Sequence, residues 1–319
     1  MTEPVAVGAA GHVSSLPVPI ADRLAAAGLD PVSVTAFVRA ALAEDLDGGT
    51  DITTAATVPA AASGRAELVA RTAGVVAGLP VAQAAFWLAS AGAPGQRGPA
   101  PGEAAACTML TADGDRVAAG QAVLTVSGPV AAILTAERTA LNLLCHLSGV
   151  ATLTRQWADA IAGTHARIRD TRKTLPGMRA LQKYAVRCGG GVNHRMALSD
   201  AALVKDNHVA AAGSVGAAFA AVRARAPGLP VEVECDTYTQ VAEALEAGAD
   251  LILLDNFGLP ELAAAVRLAG GRALLEASGG LTLARAREVA ETGVDYLAVG
   301  ALTHSAPALD IGLDLVQAG

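Results

Sequence analysis

Residues 231–256 read VEVECDTYTQVAEALEAGADLILLDN, and this stretch decides the fold class. It predicts a short apolar strand, Val231–Glu234, an amphipathic helix, Val241–Ala247, and a second apolar strand, Leu251–Leu254. The same alternation recurs from residue 166 to residue 299. The further strands are predicted at Ala166–Arg169, Ala202–Lys205, Ala273–Glu276 and Tyr296–Val299, and the further helices at Met178–Cys188, Val215–Ala226, Leu262–Leu268 and Leu283–Thr292. Repeated βα units of this length predict a parallel sheet, either open or closed into a barrel.

Polar or glycine-rich residues follow every one of these predicted strands. In chain order they are Asp170-Thr171-Arg172-Lys173-Thr174, Lys205-Asp206-Asn207-His208, Glu234, Asp255-Asn256, Ser278-Gly279-Gly280 and Gly300-Ala301. A (β/α) barrel keeps its active site at the C-terminal ends of all its strands. An open doubly wound sheet would gather such groups near one switch point. The pattern therefore favours an α/β protein with a (β/α) barrel.

The residues before the barrel have a different character. Residues 1–35 are rich in small residues and proline, and we expect a poorly ordered extension that leads into a helix near Ser33–Leu46. Residues 36–140 predict an α/β segment with strands, an apolar helix at Val81–Ala91, and a Pro/Gly-rich surface loop over residues 93–102. Two helical stretches are predicted on either side of Ser148-Gly149. The barrel domain is predicted over residues 141–304.

Charge and cysteine usage exclude several classes of protein. The chain of 319 residues has a formal net charge of −7, which argues against a general nucleic-acid binder. No apolar run is long enough to predict a membrane span, and the N-terminus lacks the basic segment of a secretory signal. The four cysteines are far apart and predict reduced thiols. We therefore expect a cytoplasmic protein that binds neither nucleic acid nor membranes.

A basic segment stands out in this acidic chain, because residues 167–208 contain nine Lys or Arg and only three Asp. Three of these cations are spaced four residues apart and could form a solvated helix face: Arg179, Lys183 and Arg187. That interpretation does not cover the four cations at strand ends or beside glycines, namely Arg172, Lys173, Arg195 and Lys205. Cations that converge on one rim repel each other unless an anion binds there. They predict a ligand with several carboxylates or phosphates.

Two carboxylates end neighbouring strands, Glu234 and Asp255. They suit a Mg²⁺ ion that keeps most of its waters and bridges substrate oxygens, although pairing with nearby Arg or Lys is the alternative. Glu232 alternates with Glu234 and would support the site from deeper in the barrel. Ser278, Gly279 and Gly280 precede a helix and could bind phosphate through backbone N–H groups, with Gly300 and Ala301 completing the pocket.

The loop after Gly189-Gly190-Gly191 carries His194 beside Arg195, and this His is expected to contact a ligand. The glycine run predicts a close backbone approach or a mobile loop. The sequence contains no Ser-His-Asp or Cys-His pattern and no Walker loop. The chemistry indicated is group transfer by positioning and charge stabilisation.

Many ordered motifs together resemble the quinolinate phosphoribosyltransferase family. They are Glu137-Arg138-Thr139-Ala140-Leu141-Asn142, Ser148-Gly149-Val150-Ala151-Thr152, Thr171-Arg172-Lys173-Thr174-Leu175-Pro176-Gly177, Gln182-Lys183-Tyr184-Ala185-Val186, Gly189-Gly190-Gly191-Val192-Asn193-His194-Arg195, Lys205-Asp206-Asn207-His208, Glu232-Val233-Glu234, Asp255-Asn256-Phe257, Glu276-Ala277-Ser278-Gly279-Gly280 and Val299-Gly300-Ala301-Leu302-Thr303-His304-Ser305. The resemblance runs from about residue 40 to the C-terminus.

The resemblance implies an activity and an architecture. In the reaction, quinolinate and phosphoribosyl pyrophosphate give nicotinate mononucleotide, pyrophosphate and CO₂ in NAD biosynthesis. In the architecture, an N-terminal α/β sandwich domain (36–140, joined by 305–319) accompanies an incomplete, seven-stranded (β/α) barrel. The six strands predicted above leave one strand missed or irregular. The resemblance also implies a homodimer with active sites at the interface.

Carried over residue by residue, the resemblance also implies roles. Five residues would hold the quinolinate carboxylates: Arg138 from the neighbouring subunit, Arg172, His194, Arg195 and Lys205. Three residues would be catalytic, with Lys173 at the pyrophosphate and Glu234 and Asp255 at the ribose hydroxyls or Mg²⁺. The 5-phosphate would be bound by Ser278, Gly279, Gly280, Gly300 and Ala301.

Two alternatives remain at this point. A nicotinate phosphoribosyltransferase would take a mono-acid, which does not need so many cations. A homologue associated with molybdate transport could bind an anion without this catalysis. Arg138, Arg172, Arg195 and Lys205 favour the quinolinate enzyme.

Overall fold

The computed structural model describes residues 16–91 and 104–316. By its contacts, the chain divides into a unit of residues 1–148 and 308–319, named here the N-terminal unit, and a unit of residues 149–307, named the barrel unit. The loop predicted at residues 93–102 lies outside the described residues, as do residues 1–15 of the predicted extension.

The described residues form twelve α-helices and twelve strands. The helices are α1 (Val18–Ala26), α2 (Pro31–Leu46), α3 (Ile52–Thr57), α4 (Leu79–Ala91), α5 (Val130–Ala160), α6 (Arg179–Cys188), α7 (Asp206–Ala212), α8 (Val215–Arg225), α9 (Tyr238–Glu246), α10 (Leu259–Ala269), α11 (Ala286–Glu291) and α12 (Ala301–His304). The strands are β1 (Ser63–Ala70), β2 (Gly74–Val75), β3 (Ala106–Met109), β4 (Arg116–Val117), β5 (Ala122–Pro129), β6 (Arg167–Arg169), β7 (Ala202–Val204), β8 (Val231–Cys235), β9 (Leu251–Asp255), β10 (Leu274–Ser278), β11 (Tyr296–Ala298) and β12 (Ile311–Val316). A 3₁₀ helix, Leu283–Arg285, precedes α11.

The prediction of a poorly ordered extension over residues 1–35 is wrong for the second half of that segment, because the segment contains helix α1. Ile20 and Leu24 on α1 are buried, which ties this helix to the core of the N-terminal unit. Helix α2 also begins earlier than predicted. The Asp30 carboxylate accepts N–H groups of the first turn, and Pro31 at the first helical position has the φ that a helix start requires.

The N-terminal unit contains a four-stranded antiparallel sheet in the order β12-β1-β5-β3. Strand β12 pairs with β1 from Arg65 opposite Val316 to Ala70 opposite Ile311, so the C-terminal residues complete this sheet. A separate two-stranded ladder joins β2 and β4.

Helix α5 is one helix of 31 residues, whereas the sequence predicts two stretches on either side of Ser148-Gly149. The Ser148 hydroxyl is buried and bonds both the N–H and the carbonyl of Ala77, at 3.0 and 3.3 Å. A satisfied serine needs no break in the helix, so α5 also runs through the predicted domain boundary at residue 140.

The barrel unit contains a six-stranded parallel sheet in the order β6-β11-β10-β9-β8-β7. The strands follow the chain order around the sheet, and only the neighbours β6 and β7 are not paired. This is the topology of an incomplete (β/α) barrel, which confirms the predicted fold class. At the open seam an isolated parallel bridge joins Arg169 to Val192. The seventh strand that the resemblance implies is reduced, in the described residues, to this bridge.

No single helix of the described residues is both long and apolar enough to cross a membrane. Helices α1 and α2, bent by 108° at the break between them, meet the length and composition criteria only as a pair, which is a weak indication.

Candidate active site

A cavity of about 380 Å³ opens at the C-terminal ends of the barrel strands. The cavity is lined by pairs of side chains that are two residues apart in the sequence. The pairs are Leu203 on β7 with Lys205 just after it, Leu253 with Asp255 on β9, and Glu276 with Ser278 on β10. This period of two follows from the pleat of a strand, which turns alternate side chains to the same face. The cavity is therefore built from two layers, an outer rim and an inner floor.

The rim of the cavity contains most of the predicted site residues. Eight of them line it: Arg172, Lys173, His194, Arg195, Lys205, Glu234, Asp255 and Ser278. The other predicted residues of the barrel unit do not line the cavity. Gly279 and Gly280 directly follow β10, and Gly300 and Ala301 lie just beyond the end of β11. These two strands are paired, which brings the two glycine segments to the same edge of the sheet. Arg138 is exposed on α5 in the N-terminal unit.

Two arginines of the rim concentrate positive charge. Burial and the nearby Arg172 guanidinium hold the pKa of Arg195 below its usual range. The Nε of Arg172 is buried and has no hydrogen-bond partner among the described residues. In the described part of the chain the Arg195 guanidinium donates only to the Ala201 carbonyl, at 3.2 Å, and neither arginine forms an ion pair. The carboxylates of Glu232, Asp200 and Glu234 offset only part of this charge. Close cations without ion-pair partners in one cavity are the arrangement that a multivalent anion stabilises.

The third rim cation, Lys205, is already paired. Its Nζ lies 2.5 Å from Oε2 of Glu234 on the adjacent strand. Lys205 also precedes α7, and its backbone N–H donates to Nδ1 of His208 at 2.9 Å, which fixes the start of that helix. Asp255 accepts a hydrogen bond from the Asn256 side chain at 2.8 Å.

Below the rim, a cluster of ionisable side chains lies at the floor. Arg169 on β6 donates to Oε2 of Glu276 at 2.6 Å and lies 3.6 Å from Glu232. Burial opposes the charge on Arg169, but Glu276 and Glu232 outweigh it and raise the Arg169 pKa. Burial, together with the Glu232 carboxylate beside it, raises the pKa of Glu276 to about 8. Arg169 and Glu276 were missed by the sequence analysis. The period of two along a strand could have identified them. Arg169 lies two residues before Thr171, and Glu276 lies two residues before Ser278, just as Glu232 lies two residues before Glu234.

His194 lies between the rim and this floor. Its Nε2 is 2.6 Å from Oε2 of Glu232, and its Nδ1 accepts the backbone N–H of Arg195 at 2.8 Å. Both ring nitrogens are therefore engaged by the protein. The predicted contact between His194 and a carboxylate ligand stays a prediction, and it requires the ring to leave one of these two partners.

The prediction that Lys183 could lie on a solvated helix face is wrong. Its side chain is fully buried, where it pairs with Asp170 and donates to the His194 carbonyl at 2.9 Å. Burial lowers the Lys183 pKa, although Asp170 opposes this. Asp170 also accepts the His194 N–H at 2.8 Å and the Asn193 amide. This pair thus fixes the loop that carries His194 and Arg195.

The glycine run before this loop serves close packing. A Cβ at Gly189 would lie 2.5 Å from the Ala151 carbonyl oxygen and 2.5 Å from Cβ of Thr154 on α5. A Cβ at Gly191 would lie 2.7 Å from Val186. Of the two predicted explanations, the close backbone approach is the correct one.

The donor set at the rim fits a magnesium ion held largely through waters and substrate. Glu234 and Asp255 present carboxylate oxygens to one cavity, and Mg²⁺ in such sites is bound by one or two carboxylates together with substrate phosphates. Glu234 is paired with Lys205 at 2.5 Å, the alternative that the sequence left open, so the ion would have to displace Lys205 there; Asp255 has no ion-pair partner among the described residues. In the described residues, the one group of three close metal-type ligands is His194, Glu232 and Glu276. That group already holds the Arg169 guanidinium at 2.6 Å from Glu276, which disfavours a cation there.

Comparison with known proteins identifies the family of this fold and cavity. Residues 51–148 match the family model of the quinolinate phosphoribosyl transferase N-terminal domain, and residues 150–314 match that of its C-terminal domain. The chain belongs to the quinolinate phosphoribosyltransferase family. The resemblance predicted from the motifs is thereby confirmed.

Relatives of the family cover most of the chain. It is 55% identical over 281 residues to the carboxylating nicotinate-nucleotide pyrophosphorylase of Mycobacterium leprae, covering 87% of this chain and 95% of that protein. It is 38% identical to a mitochondrial, decarboxylating quinolinate phosphoribosyltransferase of Nicotiana tabacum, covering 86% and 80% of the two chains. The solved nicotinate-nucleotide pyrophosphorylase of Francisella tularensis is similar with a TM-score of 0.82 at 36% identity, over 89% of this chain and 96% of that one.

The nicotinate alternative is related by fold alone. The human nicotinic acid phosphoribosyltransferase structure shares 18% identity with a TM-score of 0.56, over 83% of this chain and 72% of that one. The quinolinate enzymes are therefore the family that the sequence supports.

Proposed function

We propose that this chain transfers the phosphoribosyl group of phosphoribosyl pyrophosphate to quinolinate, with loss of CO₂, in the cavity of the barrel unit. The products are nicotinate mononucleotide, pyrophosphate and CO₂. The observation that carries the proposal is the pair Arg172 and Arg195, two neighbouring cations at one cavity without ion-pair partners in the described residues. A pyridine with two adjacent carboxylates provides the two anionic groups that this pair lacks.

The quinolinate end of the cavity is assigned to these arginines together with Lys205. Arg138, in this proposal, enters the site from a second copy of the chain in a homodimer. The isologous symmetry of such a dimer makes two shared sites. Cytoplasmic location and the absence of nucleic-acid and membrane partners stay predictions from composition.

The sugar-donor end is assigned to Lys173, Glu234 and Asp255, with the two glycine segments at the 5-phosphate. Lys173 attracts the pyrophosphate. Glu234 and Asp255 hold the ribose hydroxyls or the waters of Mg²⁺. Mg²⁺ held there would supply neutralisation of the charge on the departing pyrophosphate. Backbone N–H groups at Ser278, Gly279, Gly280, Gly300 and Ala301 bind the 5-phosphate, because glycines let a phosphate approach the backbone closely.

The cavity supports direct transfer without a covalent enzyme intermediate. The pyridine nitrogen attacks C1 of the ribosyl group while the bond from C1 to the pyrophosphate oxygen breaks. The pyridinium then accepts the electron pair of the bond between C2 and its carboxylate, CO₂ leaves, and C2 takes up a proton. Burial raises the pKa of Cys235 to about 12, so the thiol nearest to the rim along β8 is not an activated nucleophile.

Calorimetry with quinolinate and with nicotinate tests the proposal. Quinolinate should bind far more tightly, because a mono-acid leaves one rim cation unpaired, which costs on the order of 2–5 kcal/mol. Equal affinities would contradict the assigned function.

A further inference from the structure

The floor of the cavity contains a carboxyl group that the mechanism above does not use. Glu276 is fully buried, and it lines the same cavity as Arg172 and Arg195. Its Oε2 accepts from Arg169 at 2.6 Å, whereas its Oε1 is buried without a hydrogen-bond partner in the described part of the chain. A buried oxygen without a hydrogen-bond partner costs free energy unless a ligand supplies the missing hydrogen bond.

Charged side chains surround Glu276. Two further carboxylates, Asp170 and Glu232, are buried near it, together with the cations Arg169 and Lys183. Glu232 also faces the Arg195 guanidinium at the rim and Nε2 of His194, which lies 2.6 Å from its Oε2. A proton on one of the three carboxyl groups relieves the repulsion among them.

The groups that face each carboxyl decide which of the three holds a proton most readily. From β6 Glu276 faces Arg169, with Asp170 farther off, and from β8 it faces Glu232; the ring of Tyr296 on β11 lies 4.9 Å from the Arg169 guanidinium. Glu232 also faces Arg195, and Asp170 pairs with Lys183. Glu276 shares its one cation with Glu232. Burial and the Glu232 carboxylate accordingly raise the Glu276 pKa.

We propose that Glu276 carries a proton on Oε1 and donates it in a hydrogen bond to a carboxylate of the bound pyridine acid, as a substrate-binding residue at the cavity floor. The proposal rests on the function proposed above and adds an uncharged donor to the cationic rim. An ionised Glu276 would instead repel the dianion. Binding of quinolinate and protonation of Glu276 are thus linked.

Calorimetric titration with quinolinate alone, between pH 6.5 and pH 9, tests this linkage. Both quinolinate carboxylates remain ionised throughout, because such groups titrate near about pH 4. Affinity of the native protein should be about tenfold weaker at pH 9 than at pH 7. Glu276→Gln keeps an acceptor for Arg169 and an uncharged donor toward the ligand, so its affinity should change less than about twofold over this range. Glu261→Gln is the matched control, because Glu261 lies on α10 and caps the N–H of Gly258; it should show the native pH profile.

A second measurement needs no variant. Native protein titrated at pH 9 in two buffers of different ionisation enthalpy should take up about one proton per quinolinate bound, and almost none at pH 6.5. Absence of proton uptake at pH 9, or a native pH profile in Glu276→Gln, overturns the role of Glu276 while leaving the proposed function intact. A native protein that binds no quinolinate at any pH overturns the proposed function itself.

Discussion

Nζ of Lys205, at the end of β7, lies 2.5 Å from Oε2 of Glu234 on β8. This contact joins a residue assigned to quinolinate with a residue assigned to the sugar donor. Asp255 has no such contact with a cation among the described residues and instead accepts from the neighbouring Asn256 side chain. The two carboxylates that looked equivalent in the sequence are therefore expected to behave differently when removed.

The first prediction compares Glu234→Ala with Asp255→Ala. Both should weaken the use of Mg²⁺ and phosphoribosyl pyrophosphate, because each removes a carboxylate from the donor end. Only Glu234→Ala should also alter quinolinate affinity, since it releases Lys205. Steady-state kinetics for the donor and calorimetry for quinolinate separate the two effects. Identical losses of quinolinate affinity in both variants would refute the distinction.

The second prediction concerns the cost of uncompensated charge at the rim. Arg172→Ala should abolish quinolinate binding but leave the melting temperature unchanged or higher, because it relieves repulsion on Arg195. Arg195→Ala should also abolish binding. Thermal melts with and without quinolinate provide the measurement, since a ligand that binds the native state raises its stability. A quinolinate-induced rise in melting temperature in either variant would contradict the assignment.

The third prediction concerns the buried pair of Lys183 and Asp170. Lys183→Met should lower the free energy of unfolding by about 3–5 kcal/mol, because Asp170 would be left as an unpaired buried charge. Urea denaturation measures this. Arg287→Met removes the cation of a surface pair with Glu291, in which both side chains are about half exposed (51% and 57%), and should have little effect. Comparable effects of the two substitutions would show that the buried pair is not structural.

The fourth prediction concerns the dependence of stability on pH. Folding raises the Glu276 pKa from near 4.5 to about 8. The folded state therefore favours the protonated form of Glu276. As pH rises between the two pKa values, the unfolded state releases this proton while the folded state keeps it, so the protein loses stability. Within this window the slope approaches about 1.4 kcal/mol per pH unit. In urea denaturation, native protein and Glu276→Gln should be closest in stability near pH 5 and should diverge as pH rises toward 8, because only the native protein loses stability. A constant difference would mean that Glu276 does not titrate in the window.

The fifth prediction concerns the proposed sharing of sites in a homodimer. Arg138→Ala and Lys205→Ala should each be inactive. When the two variants are denatured together and refolded, each mixed dimer should contain one intact site, and roughly a quarter of native activity should return. A well-refolded mixture of dimers without activity would reject the contribution of Arg138 across the interface.

Sequence patterns predicted the parts of this protein that depend on local rules. The strands appear as short apolar runs, and Arg172, Lys205 and Glu234 were found because polar residues at strand ends are visible against those runs. The barrel was inferred from such groups after every strand. The same patterns located helices α8, α9 and α10 to within a few residues.

The remainder depends on tertiary contacts that no local pattern encodes. Lys183 looks solvated beside its helix neighbours, and only the position of Asp170 at the end of β6 shows that it is buried. Glu276 lies inside an apolar strand, where its interaction with Arg169 requires two strands 107 residues apart. Helix α5 continues through Ser148-Gly149 because the distant Ala77 backbone satisfies the serine.

Release of the C2 carboxyl group of quinolinate tests the central claim most directly. Quinolinate labelled in that carboxyl group is incubated with Mg²⁺, phosphoribosyl pyrophosphate and the native protein, and labelled CO₂ and pyrophosphate are counted together. The account predicts one labelled CO₂ for each pyrophosphate with native protein, and neither product with Arg195→Ala. Pyrophosphate formed without labelled CO₂, or equal turnover of nicotinate, would contradict it.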